Sequence, residues 1–309
     1  MLIVTLTHAP LMSLSAYYLG MDNRKEVSDF LTQLRARITP ERAGLTVYGG
    51  ERRVSGLRRE EVAQLAGVSA AYYIKIERGD LRGVSESVLY AIIRALNLDD
   101  AEAAHLLDLA SAANRGRVIT RARPEPQVSA GIQQLVDTMQ DVPALVMNKL
   151  SEPVASNRLG RSLFPDLFPD GKPPVNHARY LFLDDRSQVF YPDWEKSARE
   201  AVSSMRLLAG KDPSDKAFND LIAELSAGSA EFREWWASHT VRTHTSGSKR
   251  INHPVVGAMT IQFEALALTA IPGMRLVTYL TEPGSTSSDA LSMLRSWAAE
   301  PASVQAADF

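Results

Sequence analysis

The chain has 309 residues, 45% of them hydrophobic and 23% charged, the balance of a globular protein with room for two ordinary domains. It has no cysteine, which excludes disulfides, thiolate nucleophiles and thiolate metal sites and suits a reducing cytoplasm. Its net charge of -2 is uneven: residues 21–123 carry +3 and residues 124–309 carry -5, a polarity that fits a nucleic-acid module joined to one that stays off DNA.

Residues 1–20 are apolar and uncharged. They lack the basic start of a signal peptide, and Pro10 with several Ser and Thr interrupts any membrane span. They read as a disordered extension, with Met21 as the natural start. A front domain is expected over 21–114. Its first helix is expected from about Ser28, as cap, to Ile38, with Phe30, Leu31, Leu34 and Ile38 on one face. A Gly-containing arm, 44–56, carries Arg52 and Arg53. Residues 57–79, LRREEVAQLAGVSAAYYIKIERG, then hold the most informative pattern in the chain. A charged segment opens a helix burying Val62, Leu65 and Ala66. Gly67-Val68-Ser69 turns tightly, and a second helix follows with Tyr73 and Ile76 inward. That is the pattern of a helix-turn-helix, whose second helix enters the major groove. Ser85 or Ser87 caps a fourth helix with Val88, Ile92 and Leu96 inward. A fifth runs from Asp99-Asp100 through Leu109.

Residues 115–126, RGRVITRARPEP, read as a linker with four arginines and two prolines. From 127 to 309 the pattern becomes mixed α and β. A helix carries Ile132, Leu135, Val136 and Met139. Strands are expected at 143–148 and 152–156, and a helix at 157–164. Amphipathic helices follow near 193–209, 215–226 and 230–238. Three more strands are expected near 248–253, 258–268 and 274–281, and a last helix at 289–299. The fold class is therefore α + α/β: a five-helix domain and a five-stranded sheet with helices inserted after the second strand.

Counting from the cap Ser69, helix positions one, two and six project together. They are Ala70, Ala71 and Lys75, with Tyr72 beside them. Lys75 can donate to guanine O6/N7, and the alanine methyls can touch thymine. Arg58 and Arg59 open the preceding helix, and with Arg78, Arg52 and Arg53 they are candidates for phosphate contacts. Glu77 is placed to bond back to the first helices, and Gly79 to terminate the recognition helix.

No nucleophile elbow, phosphate loop or dinucleotide fingerprint appears, so no catalytic residue, cofactor or metal is assigned. His239, His244 and His253 fall on separate elements, and His253-Pro254 is expected to fix a turn between strands. Trp194, Trp235 and Trp236 read as core or as pocket walls. Asn148 and Asn157 read as caps or as ligand-facing groups. Arg179, Arg199 and Arg242 read as salt-bridge partners or as carboxylate anchors. Inward positions of the late strands (Ile261, Phe263, Ala265, Leu276, Val277 or Tyr279) are expected to line one sheet face, covered by helices carrying Trp194, Met205 and Trp235. The ligand candidates are Asn148, Asn157, Arg179, Trp194, Trp235, Ile261, Phe263, Ala265, Val277 and Tyr279.

The segment GLRREEVAQLAGVSAAYYIKIERG, with LNLDDAEAAHLLDLA downstream, resembles the Xre-type helix-turn-helix of MmyB-like actinobacterial regulators. PALVMN, ARYLFLD, YPDWE, SAEFREWWASHTVR, SGSKR, HPVVG, FEALAL and YLTEPGS resemble that family's ligand-binding domain, so the likeness spans about 28–298. It departs from Xre domains at large at Arg58, where Ser or Thr commonly caps. The resemblance implies a PAS-like back domain with a buried cavity for an apolar or fatty-acid-like molecule, in a bacterial transcription factor. The expected partners are a double-stranded DNA operator, a small apolar ligand, a second copy of the chain and RNA polymerase, with no membrane. The expected place is the cytoplasm, at the nucleoid. Two other readings stay open at this point: a constitutive DNA-binding dimer without ligand, and an enzyme or metal sensor tethered to DNA.

Overall fold

A computed structural model describes residues 23–45, 54, 56–114, 128–242 and 244–299. The expected extension at 1–20, Arg52, Arg53 and the linker at 115–126 lie outside the described residues.

The front domain is five helices: α1 (Asn23–Arg37), α2 (Arg59–Ala66), α3 (Ala70–Glu77), α4 (Glu86–Ala95) and α5 (Asp100–Asn114). They close on a core of Phe30, Leu31, Val62, Tyr73, Ile76, Ile92 and Leu106. Helix α1 begins five residues before the expected Ser28, because Glu26 and Val27 are also buried. Helix α5 continues past Leu109 to Asn114, whose side chain accepts from Gly83 N–H at 3.0 Å. Leu65, expected inside, lies on the open side of α2, and Ala63 takes the inward place.

The back domain opens with α6 (Ala130–Thr138), which buries Val136 and leaves Leu135 exposed. Strands β1 (Ala144–Met147) and β2 (Pro153–Ser156) pair antiparallel. Then come α7 (Arg158–Leu163), α8 (His177–Leu183), α9 (Arg186–Phe190), α10 (Trp194–Lys211), α11 (Lys216–Gly228) and α12 (Ala230–Ala237), with a short 3-10 turn after α7. Strands β3 (Ser246–His253), β4 (Gly257–Ala267) and β5 (Arg275–Leu280) and helix α13 (Thr286–Ala299) complete it. The five strands form one antiparallel sheet in the order β2-β1-β5-β4-β3.

The period-2 alternation of strands sorts this sheet into two faces. Leu145, Val277 and Ala265 sit opposite one another across β1, β5 and β4 and face the helices α7–α12. Ala144, Val146 and Leu276 face the other way, into a small core with Val136. Leu276, expected on the first face, therefore belongs to the second, one residue out of phase with Val277.

The domains meet where α10 crosses α5. Gly210 of α10 lies so close to α5 that a Cβ there would come within 2.5 Å of the His105 ring. Arg206 is fully buried and pairs with Glu26 of α1. Val241, just after α12, packs into the front core.

Candidate nucleic-acid interface and ligand pocket

The turn between α2 and α3 follows from its own chemistry. Gly67 takes φ +66°, where a side chain would be strained. Ser69 Oγ accepts from Tyr72 N–H at 3.2 Å and caps α3. At the start of α2, Glu61 Oε2 accepts from the Arg58 backbone N–H at 2.6 Å, which satisfies one amide of a helix start that lacks a Ser or Thr cap. Arg58, Arg59, Ser69, Ala70, Ala71, Lys75 and Arg78 are all exposed, with Tyr72 half-buried among them. Two of these cations form ion pairs among the described residues. Lys75 Nζ is 3.5 Å from Asp80, and Arg59 Nε is 3.3 Å from Glu77.

The inner side of α3 is held by a buried carboxylate. Glu77 accepts from Thr32 Oγ1 at 2.9 Å and from Arg35 Nη2 at 2.9 Å and Nε at 3.1 Å. Burial alone would raise its pKa, but the Arg35 hydrogen bonds and charge, with Arg59 and Thr32, hold it below the usual carboxylate value. Gly79 follows with φ +90°, its Cα so near Arg24 that a Cβ would meet that backbone at 2.1 Å. The recognition helix is thus tied to α1 at its end. Arg35 was not among the sequence candidates. Its signal was its place one helical turn after Leu31, beside the inward stripe of α1.

In the back domain a cavity of about 330 Å³ lies between the first sheet face and α10. Ile261, Phe263, Ala265, Val277 and Tyr279 all line it, joined by Leu145, Met147 and Phe164, and by Ala201, Ser204, Met205 and Leu208 of α10. Its polar members include the cations Lys249, Arg275 and Lys211, the neutral or titratable His177, His244 and Tyr191, and one carboxylate, Glu200. Lys249 Nζ is 3.6 Å from Glu200 and 5.1 Å from the centre of the Phe263 ring, and burial draws its pKa down. Burial also draws Arg275 down, and among the described residues no carboxylate forms an ion pair with it. Burial, then the Lys249 and Arg275 charges, push His177 down to about 3.

The other five ligand candidates lie elsewhere, each for a physical reason. Asn157 is the N-cap of α7. Its Oδ1 accepts from Gly160 and Ala144 N–H at 2.7 and 3.1 Å, and its Nδ2 donates to Met139 and Val142 carbonyls at 2.7 Å, so no group is left for a ligand. Asn148 Oδ1 closes the β1–β2 turn through Leu150 and Glu152 N–H, both at 2.9 Å. Arg179 forms a two-pronged pair with Glu224 on the surface. Trp194 donates its indole N–H to Leu181 O at 2.8 Å and packs on Phe182 and Trp235. Trp235 is covered by Arg199, 4.4 Å above its ring.

The three histidines are spread apart. His253 donates from Nε2 to Ser162 O at 2.8 Å and accepts at Nδ1 from Val255 and Val256 N–H, which pins the β3–β4 turn as its Pro neighbour implied. His239 joins Glu26 at the domain contact. Among the described residues no group of three His, Asp or Glu side chains is placed to hold a metal, and no helix is long and apolar enough to cross a membrane.

Among the lining residues that sequence reasoning missed, Lys249 and Arg275 are the two charged ones on strands. Lys249 shares the face of the buried Ile251 two residues on along β3, and Arg275 stands two before Val277 on β5, so a charge at an inward strand position was the available signal.

Residues 26–106 match a helix-turn-helix domain family. Residues 128–294 match the MmyB-like transcription regulator ligand binding domain. The chain belongs to the MmyB-like transcription regulators. No curated protein matches it. As an MmyB-like regulator it joins a helix-turn-helix DNA-binding domain to a ligand-binding domain, the composition of a ligand-responsive transcription regulator.

Proposed function

We propose that this regulator binds an operator in the cytoplasm through α3 and senses a mainly apolar molecule with an anionic head. The observation that carries the ligand class is the combination of the half-open apolar cavity with Arg275, which lines it and, among the described residues, has no carboxylate in an ion pair with it. A partly buried cation without a counter-charge loses hydration that nothing replaces, and a carboxylate or phosphate head supplies the missing charge. The sheet side chains and α10 suit the apolar body. The presence of this cavity weighs against a filled, purely dimerising core.

On DNA, Lys75 reads a base while Arg58, Arg59 and Arg78 hold phosphates. Two copies read half-sites about 34–36 Å apart or a multiple of that, and RNA polymerase is a further partner on such promoters. The test has two arms. Lys75→Ala weakens operator binding by about 1–3 kcal/mol and relaxes one base position, whereas Arg59→Ala weakens all sequences alike and reduces the salt slope. Unchanged affinity in both variants removes α3 as the reader. Native mass spectrometry of the purified chain identifies the bound molecule. Arg275→Met retains neutral apolar occupants and loses anionic ones, and equal retention of both removes the anionic head.

A further inference from the structure

Helix α10 serves two neighbours at once. On one side Ala201, Ser204, Met205 and Leu208 line the cavity. On the other it grips the DNA-binding domain. Arg206 pairs with Glu26 of α1, lies 4.1 Å above the Trp236 ring and donates to the Trp236 carbonyl. His239 Nδ1 stands 3.3 Å from the same Glu26 oxygen, and its Nε2 3.4 Å from Asp29. One turn on, Gly210 brings the α10 backbone against His105. Leu207 lines the cavity and also packs on the front core.

We propose that occupancy of the cavity reaches the recognition helix through α10, with the buried Arg206–Glu26 pair as the clamp that makes the front domain follow. The inference rests on the cavity being the ligand site and α3 the reading helix. The two sides of α10 differ in compliance. The cavity side faces unfilled space, while the interface side is close-packed around a buried ion pair. Packed interiors resist deformation, and parting a buried pair is strongly unfavourable. An occupant therefore displaces α10 relative to the sheet, not relative to α1. From Glu26 the same helix α1 runs to Thr32 and Arg35, which hold Glu77 of α3. The route is α10, α1, α3, with a charged contact at each junction. A ligand that distinguishes two positions of α10 then biases two positions of the reading helix.

Hydrogen exchange of the full-length chain tests this without a ligand. Ala265→Trp fills the cavity from β4, and Ala201→Met repeats the filling with a smaller side chain should the tryptophan not be accommodated. The proposal expects filling to change exchange rates of α1 and α3 amides about 5-fold or more, the lower range of allosteric coupling. In the charge-free pair Glu26→Gln with Arg206→Met, the same filling changes α10 and the sheet but leaves α1 and α3 unmoved. A response confined to α10 and the sheet in the otherwise unaltered protein overturns the proposal. So does a response of undiminished size in the charge-free pair. Decanoate is the second probe. If it binds and protects the cavity while α1 and α3 stay unchanged, the coupling fails and the ligand reading stands. If it does not bind while the filling substitutions act, the ligand class fails and the coupling stands.

Discussion

Replacing Glu77 by alanine is the sharpest perturbation of the DNA-reading domain. The Glu77 side chain is 1% exposed and its partner Arg35 12% exposed. The substitution removes the acceptor of Thr32 Oγ1 and of two Arg35 nitrogens and leaves the guanidinium with the Leu57 carbonyl at 2.8 Å. Breaking a buried pair in this way costs about 3–5 kcal/mol. Arg59, 47% exposed, relaxes into water and adds little. Arg35 keeps some solvent access, so the lower end, about 3 kcal/mol, is expected, against a total stability of about 5–15 kcal/mol for a typical domain. Urea unfolding of the full chain reads the change as a lower midpoint at unchanged slope. The double substitution Arg35→Met with Glu77→Leu removes both charges and returns most of the loss. A cost under about 1 kcal/mol for Glu77→Ala, or a double variant whose loss equals the sum of the singles, refutes the reasoning.

Gly79→Ala forces a left-handed residue and a Cβ into the Arg24 backbone, so it costs more in urea melts than Gly67→Ala, whose Cβ meets open space and which pays only the left-handed penalty of about 1–2 kcal/mol; equal costs contradict the close approach. Asn157→Asp keeps the oxygen that caps α7 but turns an anionic oxygen, in place of the amide donor, toward the Met139 and Val142 carbonyls, so its melting temperature falls at least as far as that of Asn157→Ala; a value between the wild type and Asn157→Ala contradicts the role of the donor. Stability declines as pH falls in two windows. His177, held near 3 against an ordinary 6.5, has its contribution intact above about pH 6.5 and loses it below, by at most about 1.4 kcal/mol per pH unit. Burial would raise Glu26, but the adjacent His105 and His239 imidazoles and Arg206 hold it well below its ordinary 4.5, so its contribution is present above about 4.5 and is lost at more acid pH. His177→Asn flattens the first window in urea melts at successive pH values, and an unchanged slope contradicts the assignment.

The elements legible in the sequence are those whose signal is local. Gly67, Ser69 and the inward pair Tyr73 and Ile76 define α2-turn-α3 within a dozen residues. The alternation of Met259, Ile261 and Phe263 defines β4 and its pocket face. Helices α8 and α9 were not legible, because seven and five residues are too short to show a helical period and Tyr180-Leu181-Phe182 reads as a continuous apolar run. Leu65 and Leu276 misled because apolar character gives no direction without the neighbouring elements. The ligand candidates divide along the same line. Strand phase placed Ile261, Phe263, Ala265, Val277 and Tyr279 on the cavity wall, whereas Trp194, Trp235, Asn148, Asn157 and Arg179 were chosen by residue type. Their partners, Leu181, Arg199, Glu152, Val142 and Glu224, are mostly distant in sequence. The Arg206–Glu26 contact joins residues 180 apart, and nothing local marks it.

The most direct measurement is the operator affinity of the full-length chain, on a sequence selected from random duplexes, with and without decanoate at concentrations that raise its melting temperature. A ligand-responsive regulator coupled through α10 changes operator Kd by about 5-fold or more. A melting temperature that rises while operator Kd stays fixed, or the absence of any selected sequence, contradicts the account.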